Sequence, residues 1–252
     1  MLLGSATLKA QEGPHPKPAL SKDATRVIVL QGAISQNMVR SLRQSLPEDV
    51  KDTFPAGLIV FLDSPGGDGF AAMELGELLR RAKAHVFVTG QCASACVLVL
   101  ASGVVRVAPA YTVGLHRGRV TVSYADGKVK KELNPQVDQE AARVFREFET
   151  KAQQYFVRMG VDASFFEKMQ KFERRSVYRL NNQEMRQYGI VGVEPKYLLE
   201  RVQLFSSLAH SQAITADELT QRVLRVSRRC GGLEIDKVEF VNCYRESLLS
   251  PD

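Results

Sequence analysis

Two short stretches carry residues that together can do acyl chemistry. One is Asp63-Ser64-Pro65-Gly66-Gly67, and the other, further along, is Gly90-Gln91-Cys92-Ala93-Ser94-Ala95-Cys96. A strand ending in a double glycine leaves backbone N–H groups unshielded, and such groups can form one arm of an oxyanion hole. Ser94 falls at a second strand-to-helix junction. There its hydroxyl gains from the helix N-terminus, and the amide of Ala95 can supply the second arm. Taken alone, the plainer reading of Ser94 is a helix N-cap, and that of the glycines a tight turn. A nucleophilic serine also needs a base, and the chain has four histidines. His15 lies in a proline-rich leader and His210 in a polar tail. His85 opens a strand and is expected to cap its edge. His116 closes Val113-Gly114-Leu115-His116 and so puts an imidazole at a sheet end, where a structural hydrogen bond is the plainer use.

The elements that must position these groups follow from apolar spacing. Residues 1–24 read as a leader or disordered tail. Arg26–Gly32 and Gly57–Asp63 are strands; the second is apolar throughout, as expected for a sheet covered on both faces. Ser35–Leu46 carries Met38, Val39, Leu42 and Leu46 at helical spacing. Further helices are expected over Asp68–Ala82 and over Ala93–Gly103, the latter buried and closed by a glycine cap. His85–Gly90, Val104–Ala108 and Val113–His116 are strands. The alternation predicts an α/β fold with parallel pairing. Val120–Leu133 reads as a hairpin turning at Ala125-Asp126-Gly127. Val137–Met159 is a long amphipathic helix with a broad apolar stripe. Asn182–Gln187 is a short helix stopped at Gly189, with a strand over Gly189–Val193. The α/β domain is expected to span 25–205, with 206–252 as a polar appendage holding a helix over Ala216–Arg228.

The 252 residues, 44% apolar, suffice for a core without a metal or disulfide staple and exclude disorder as the main state. The longest apolar run, Val97–Val105, falls short of the ~18 residues of a membrane helix. The formal charge is +6, but the basic residues are scattered, so no nucleic-acid partner is expected. Cys92/Cys96 and Cys230/Cys243 form two close pairs, suited to local disulfides in an oxidising compartment or to buried thiols. Cys92 and Cys96 flank Ser94 and would clamp its junction, although an i, i+4 pair approaches the upper end of the permitted ~4.4–6.8 Å between Cα atoms. The thirteen-residue spacing of Cys230 and Cys243 closes an easier loop. No histidine stands at zinc-ligand spacing, so no metal is expected. Met1–Ala10 is mildly apolar without a basic start. It reads as the last part of a signal peptide or as a plain tail.

Ser-Pro-Gly-Gly at 64–67, a helix, then Gln91-Cys92-Ala93-Ser94-Ala95-Cys96, then Val113-Gly114-Leu115-His116 resembles the Clp-protease-like branch of the Clp/crotonase superfamily. The likeness runs from about Arg26 to Val193. The two-cysteine CASAC version resembles a secreted or periplasmic bacterial subgroup. The resemblance implies stacked ββα units with a handle helix. It makes Ser94 the nucleophile, His116 the general base, and the amides of Gly67 and Ala95 the oxyanion hole, with Gly66 shaping the turn. Gln187-Tyr188-Gly189-Ile190-Val191 matches the family's closing stretch. Counting back from it sets the triad acid on Glu173, a glutamate where the family has aspartate, with Asp162 and Glu167 as competing choices. The resemblance further implies no cofactor, a peptide or protein substrate, and a homo-oligomer through helix 137–159. The hairpin looks like an insertion before that helix. The location implied is periplasmic or secreted, with membrane association open. The expected activity is serine-type peptide hydrolysis. It needs a neutral imidazole and so falls as the pH drops below ~6.5. The competing readings are a crotonase-like acyl-thioester enzyme and a non-catalytic assembly protein on the same scaffold.

Overall fold

Period-two alternation along the central strands decides where the core lies. In one strand, Leu58, Val60 and Leu62 bury on one face and Ile59 and Phe61 on the other; in the next, Val86 and Val88 oppose Phe87. A sheet apolar on both faces must be covered on both. The computed structural model describes residues 25–47, 49–51, 53–123, 129–172, 176–208, 214–233 and 235–250. The leader, the hairpin turn at 125–127, His15, His210 and Glu173 lie outside them.

In chain order the first elements are β1 (Arg26–Gln31), α1 (Gln36–Ser45), β2 (Leu58–Ser64), α2 (Gly69–Arg81), β3 (His85–Ala93) and α3 (Cys96–Ser102). Then come β4 (Val105–Val107), β5 (Val113–Leu115), and the hairpin strands β6 (Val120–Ser123) and β7 (Val129–Leu133). They are followed by α4 (Gln139–Arg158), α5 (Ser164–Gln170), β8 (Tyr178–Arg179), α6 (Asn182–Gln187) and β9 (Gly192–Val193). The C-terminal elements are α7 (Pro195–Leu208), α8 (Ala216–Arg229) and α9 (Lys237–Leu249). The result is a mixed α/β fold of the Clp/crotonase-like kind, with a mainly parallel sheet ordered β1-β2-β3-β4-β9.

β3 is the hub. Its first half, His85–Phe87, pairs with β4, while its end, Cys92–Ala93, pairs with β5, which in turn pairs antiparallel with β8. The end of a strand that changes neighbours leaves a crevice beyond the sheet, the place where α/β folds hold ligands. α3 sits in that gap and is fully buried.

Two expected boundaries move, and one cap differs; the strand expected from Gly189 begins only at Gly192. α3 begins at Cys96 rather than Ala93, because β3 runs on through Ala93 and the chain then turns at Ser94. Gly103 is not a left-handed cap, since its φ is −58°. Glycine is needed there because a Cβ would stand 2.6 Å from the Val105 carbonyl oxygen.

Much of the apolar stripe of α4 is buried inside the chain. Tyr155 is wholly buried, donates its hydroxyl to the Leu98 carbonyl at 3.0 Å, and packs against Gly76 of α2 so closely that no side chain fits there. The C-terminal carbonyls of α3 and α4, at Ala101 and Met159, both accept from Arg80 and Arg106. Cations belong at that end of a helix. The Arg106 guanidinium is buried, and burial with Arg80 alongside lowers its pKa to about 10.

The segment expected as a polar appendage supplies the second cover of the sheet. Leu219, Val223 and Val226 of α8 and Phe240, Tyr244 and Leu248 of α9 bury in one cluster with Ile59, Phe61, Phe87 and Val105. Phe240 meets Phe61 and Phe87 edge-on. A Cys230–Cys243 disulfide joins the two helices.

His85 does not cap an edge. It opens the central strand at 2% exposure, with Nδ1 2.8 Å from the Tyr244 hydroxyl and Nε2 2.7 Å from that of Tyr197, onto which Arg201 also donates. Burial, then the charge of Arg201, holds its pKa well below the usual imidazole value. The unfolded chain therefore takes up a proton that the folded one refuses. The stabilisation is complete above ~6.5 and is lost as the pH falls below it. Urea unfolding is expected to lose stability between about pH 6 and pH 5 with a slope approaching ~1.4 kcal/mol per pH unit, and His85→Gln should flatten that slope.

Candidate active site

The turn after β2 is pinned from several sides. Ser64 Oγ accepts the Gly66 amide at 3.1 Å, the Gly66 carbonyl accepts from Ile34, and Asp68 donates back to Ile34. Gly67 has φ +145°, and a Cβ there would lie 2.3 Å from the Ile34 carbonyl oxygen, so only glycine passes. Its own amide meets no backbone acceptor among the described residues. Asp68 caps α2, accepting from Phe70 and Ala71.

At the other junction Ser94 has φ +57°, a left-handed conformation that costs a non-glycine residue roughly 1–2 kcal/mol. It is held by its amide donating to Gly114 of β5 and its carbonyl accepting from Val97. Ser94 is not the helix cap: Ala95 is the capping residue, and no side chain caps α3. The Ser94 hydroxyl has no hydrogen-bond partner among the described residues. The Ala95 amide is likewise uncommitted there, as the first N–H groups of a helix are. Cys92 and Cys96 are joined as a disulfide with Cα atoms 5.1 Å apart, nearer than the spacing led one to expect, because the chain reverses at Ser94 between them.

The two junctions touch. A Cβ on Gly66 would stand 2.7 Å from both the Ala93 carbonyl oxygen and Ser94 Cβ, and 3.1 Å from the Ala95 nitrogen. His116, just past β5 and 9% exposed, places Nδ1 2.8 Å from the Arg117 carbonyl oxygen. Gly67, Ser94, Ala95 and His116 all line one cavity of about 400 Å³. Its apolar part is built from Leu98, Phe148, Ala152, Phe156 and Met169; Ser35, Gln36, Val120 and Thr121 line it as well. Among the described residues, Asp68 and Arg119 are the charged side chains that line it. Asp68 is engaged in capping, and Arg119 pairs with Glu132 at 3.6 Å.

No candidate acid among the described residues joins them. Glu173 lies outside the described residues. Asp162 and Glu167 do not line the cavity. Asp162 instead caps α5 by accepting the Ser164 amide and hydroxyl, and these bonds lower its pKa. The sequence reading missed Asp63 as a structural latch. Its carboxylate accepts the Gln91 amide at 2.9 Å and leaves room only for glycine at position 90. The contribution of Met169 was also missed; its place in a seven-residue helix gave no signal.

Among the described residues no helix is long and apolar enough to cross a membrane, and no cluster of histidine, cysteine and carboxylates could hold a metal ion. No curated protein matches the chain. The family model described as Clp protease matches residues 19–193, most of the chain and all of the cavity-lining elements, and leaves the C-terminal cover outside. With the turn of Gly66 and Gly67 set against the Ser94 junction, the chain belongs to the Clp protease family.

Proposed function

We propose that this protein is a serine peptidase, with Ser94 as nucleophile, His116 as general base, and the amides of Gly67 and Ala95 as the oxyanion hole. One observation carries the reading. A hydroxyl and two main-chain amides without hydrogen-bond partners among the described residues, together with an imidazole, belong to residues that line the same cavity. His116 Nε2 takes the Ser94 proton as Oγ attacks the peptide carbonyl. The two amides hold the oxyanion, the imidazolium protonates the leaving amine, and water then releases the acyl group by the same path in reverse. An extended substrate would lie between the Gly66–Gly67 turn and β6, whose sheet partner is β7, with one apolar side chain lodged toward Leu98 and Phe156. A crotonase-type hydration would need carboxylates in the cavity, and Asp68, the only one that lines it among the described residues, is spent on the α2 cap. Two disulfides favour an oxidising, exported location.

A fluorophosphonate probe tests the assignment. Stoichiometric labelling that maps by mass to Ser94 and vanishes in Ser94→Ala is expected. A wild-type chain that takes up no label, or labelling that survives in Ser94→Ala, would sink it.

A further inference from the structure

We infer that the imidazole of His116 is held for catalysis by the main-chain carbonyl of Arg117 rather than by a carboxylate, so that the site works as a serine–histidine dyad. The inference rests on the peptidase reading and adds to it the group that orients the base. Nδ1 of His116 lies 2.8 Å from the Arg117 carbonyl oxygen. A carbonyl can only accept, so Nδ1 carries the proton and the lone pair is on Nε2, the nitrogen that must take the serine proton. Fixing that tautomer is the larger part of what a triad acid does; an enzyme whose acid is replaced by an amide that selects the wrong tautomer loses ~10⁴ in kcat.

The neighbouring strand offers no acid. β5 and β8 pair antiparallel, Gly114 opposite Arg179 and Leu115 opposite Tyr178. One more step in this register sets Val177 beside His116. Alternation puts His116 on the same face as Gly114, and a Cβ on Gly114 would meet Val177 Cγ1 at 2.5 Å, so Val177 lies on that face too. Val177 is 45% exposed, an apolar residue at a place the core does not require. Among the described residues, Glu167 does not line the cavity, and three other carboxylates on the adjoining elements are engaged elsewhere. Glu184 accepts from Lys168, the Tyr178 hydroxyl and the Asn181 amide, Asp162 caps α5, and Asp63 holds Gln91.

Three measurements on the full chain test this. The ¹⁵N shifts of His116 are expected to report the Nδ1–H tautomer, in the wild type and in Glu173→Gln, Glu167→Gln and Asp162→Asn alike. An Nε2–H tautomer would overturn the inference. Hydrolysis of a fluorogenic peptide by the three carboxylate variants should stay within tenfold of wild type, and a larger loss of kcat in any one of them would identify the acid and overturn it. Val177→Asp, at an exposed position, supplies the missing carboxylate. It should raise kcat at least threefold with KM unchanged, and a smaller rise or a fall in the folded variant would mean that a carboxylate already serves the imidazole and would overturn the inference. Should wild-type Ser94 fail to label, the peptidase reading falls, yet the tautomer measurement still decides the Arg117 contact by itself.

Discussion

Alanine in place of Ser94 is expected to lower kcat on the order of 10⁴-fold, alanine in place of His116 by the same amount, and both together by no more. The three variants must agree if, as proposed, the two side chains perform one step. Without the base the hydroxyl is a poor nucleophile, and without the hydroxyl the base has no proton to take. Where a full triad has been dissected, loss of the serine or the histidine costs ~2 × 10⁶ and loss of the acid alone ~3 × 10⁴. An imidazole held in the right tautomer by a neutral carbonyl starts below a full triad, so less remains to lose. The residual rate expected is that of the Gly67 and Ala95 amides and of substrate binding by the rest of the cavity, which both substitutions leave in place. Steady-state hydrolysis of a fluorogenic peptide, with circular dichroism to check folding, measures all three variants. A Ser94→Ala rate above a hundredth of wild type, or single effects that multiply in the double variant, would remove the pair from the chemistry.

The central strands and the Ser94 junction were legible because their signals are local. The unbroken apolar run Leu58–Leu62 demanded a cover on each face, and the order of Ser64-Pro65-Gly66-Gly67, Ser94 and His116 along the chain led to the cavity that Gly67, Ser94 and His116 line. The identity of the second cover was hidden by composition. In α8, Leu219, Val223 and Val226 form a narrow buried stripe among charged neighbours, and the surrounding polarity read as a tail. The start of α3 was misplaced because a left-handed serine leaves no mark in residue type. The partner of the His116 imidazole could not be read at all. It depends on a one-residue contact to Arg117 and on a β5–β8 register set by pairing across more than sixty residues, neither of which has a local pattern. Counting along the sequence set the acid on Glu173 without reference to that register.

The contact between the two junctions yields the second large effect. Gly66→Ala is expected to lower kcat by roughly 10²–10³, the range seen when one oxyanion donor is lost. Gly66 has φ +105°, which a side chain rarely tolerates, and the added Cβ would meet the Ala93 carbonyl oxygen and Ser94 Cβ at 2.7 Å. Neither neighbour can yield freely, because Ala93 is paired into β5 and Ser94 is tied to Gly114. The strain must therefore move the Ser94 hydroxyl or part the Gly67 and Ala95 amides, and a displacement of about 1 Å at a reacting group can cost 10²-fold. Backbone strain alone would also destabilise the protein, by about 1–3 kcal/mol, so a control must separate the two. Gly160→Ala supplies it. Gly160 sits at φ +75° after α4 with nothing within 4 Å of an added Cβ, so the variant bears the conformational cost without the collision. Thermal unfolding should fall in both variants, while peptide hydrolysis at a temperature where both are folded should fall in Gly66→Ala alone. Equal activity in the two would mean that the Gly66 turn does not shape the site that Ser94 serves.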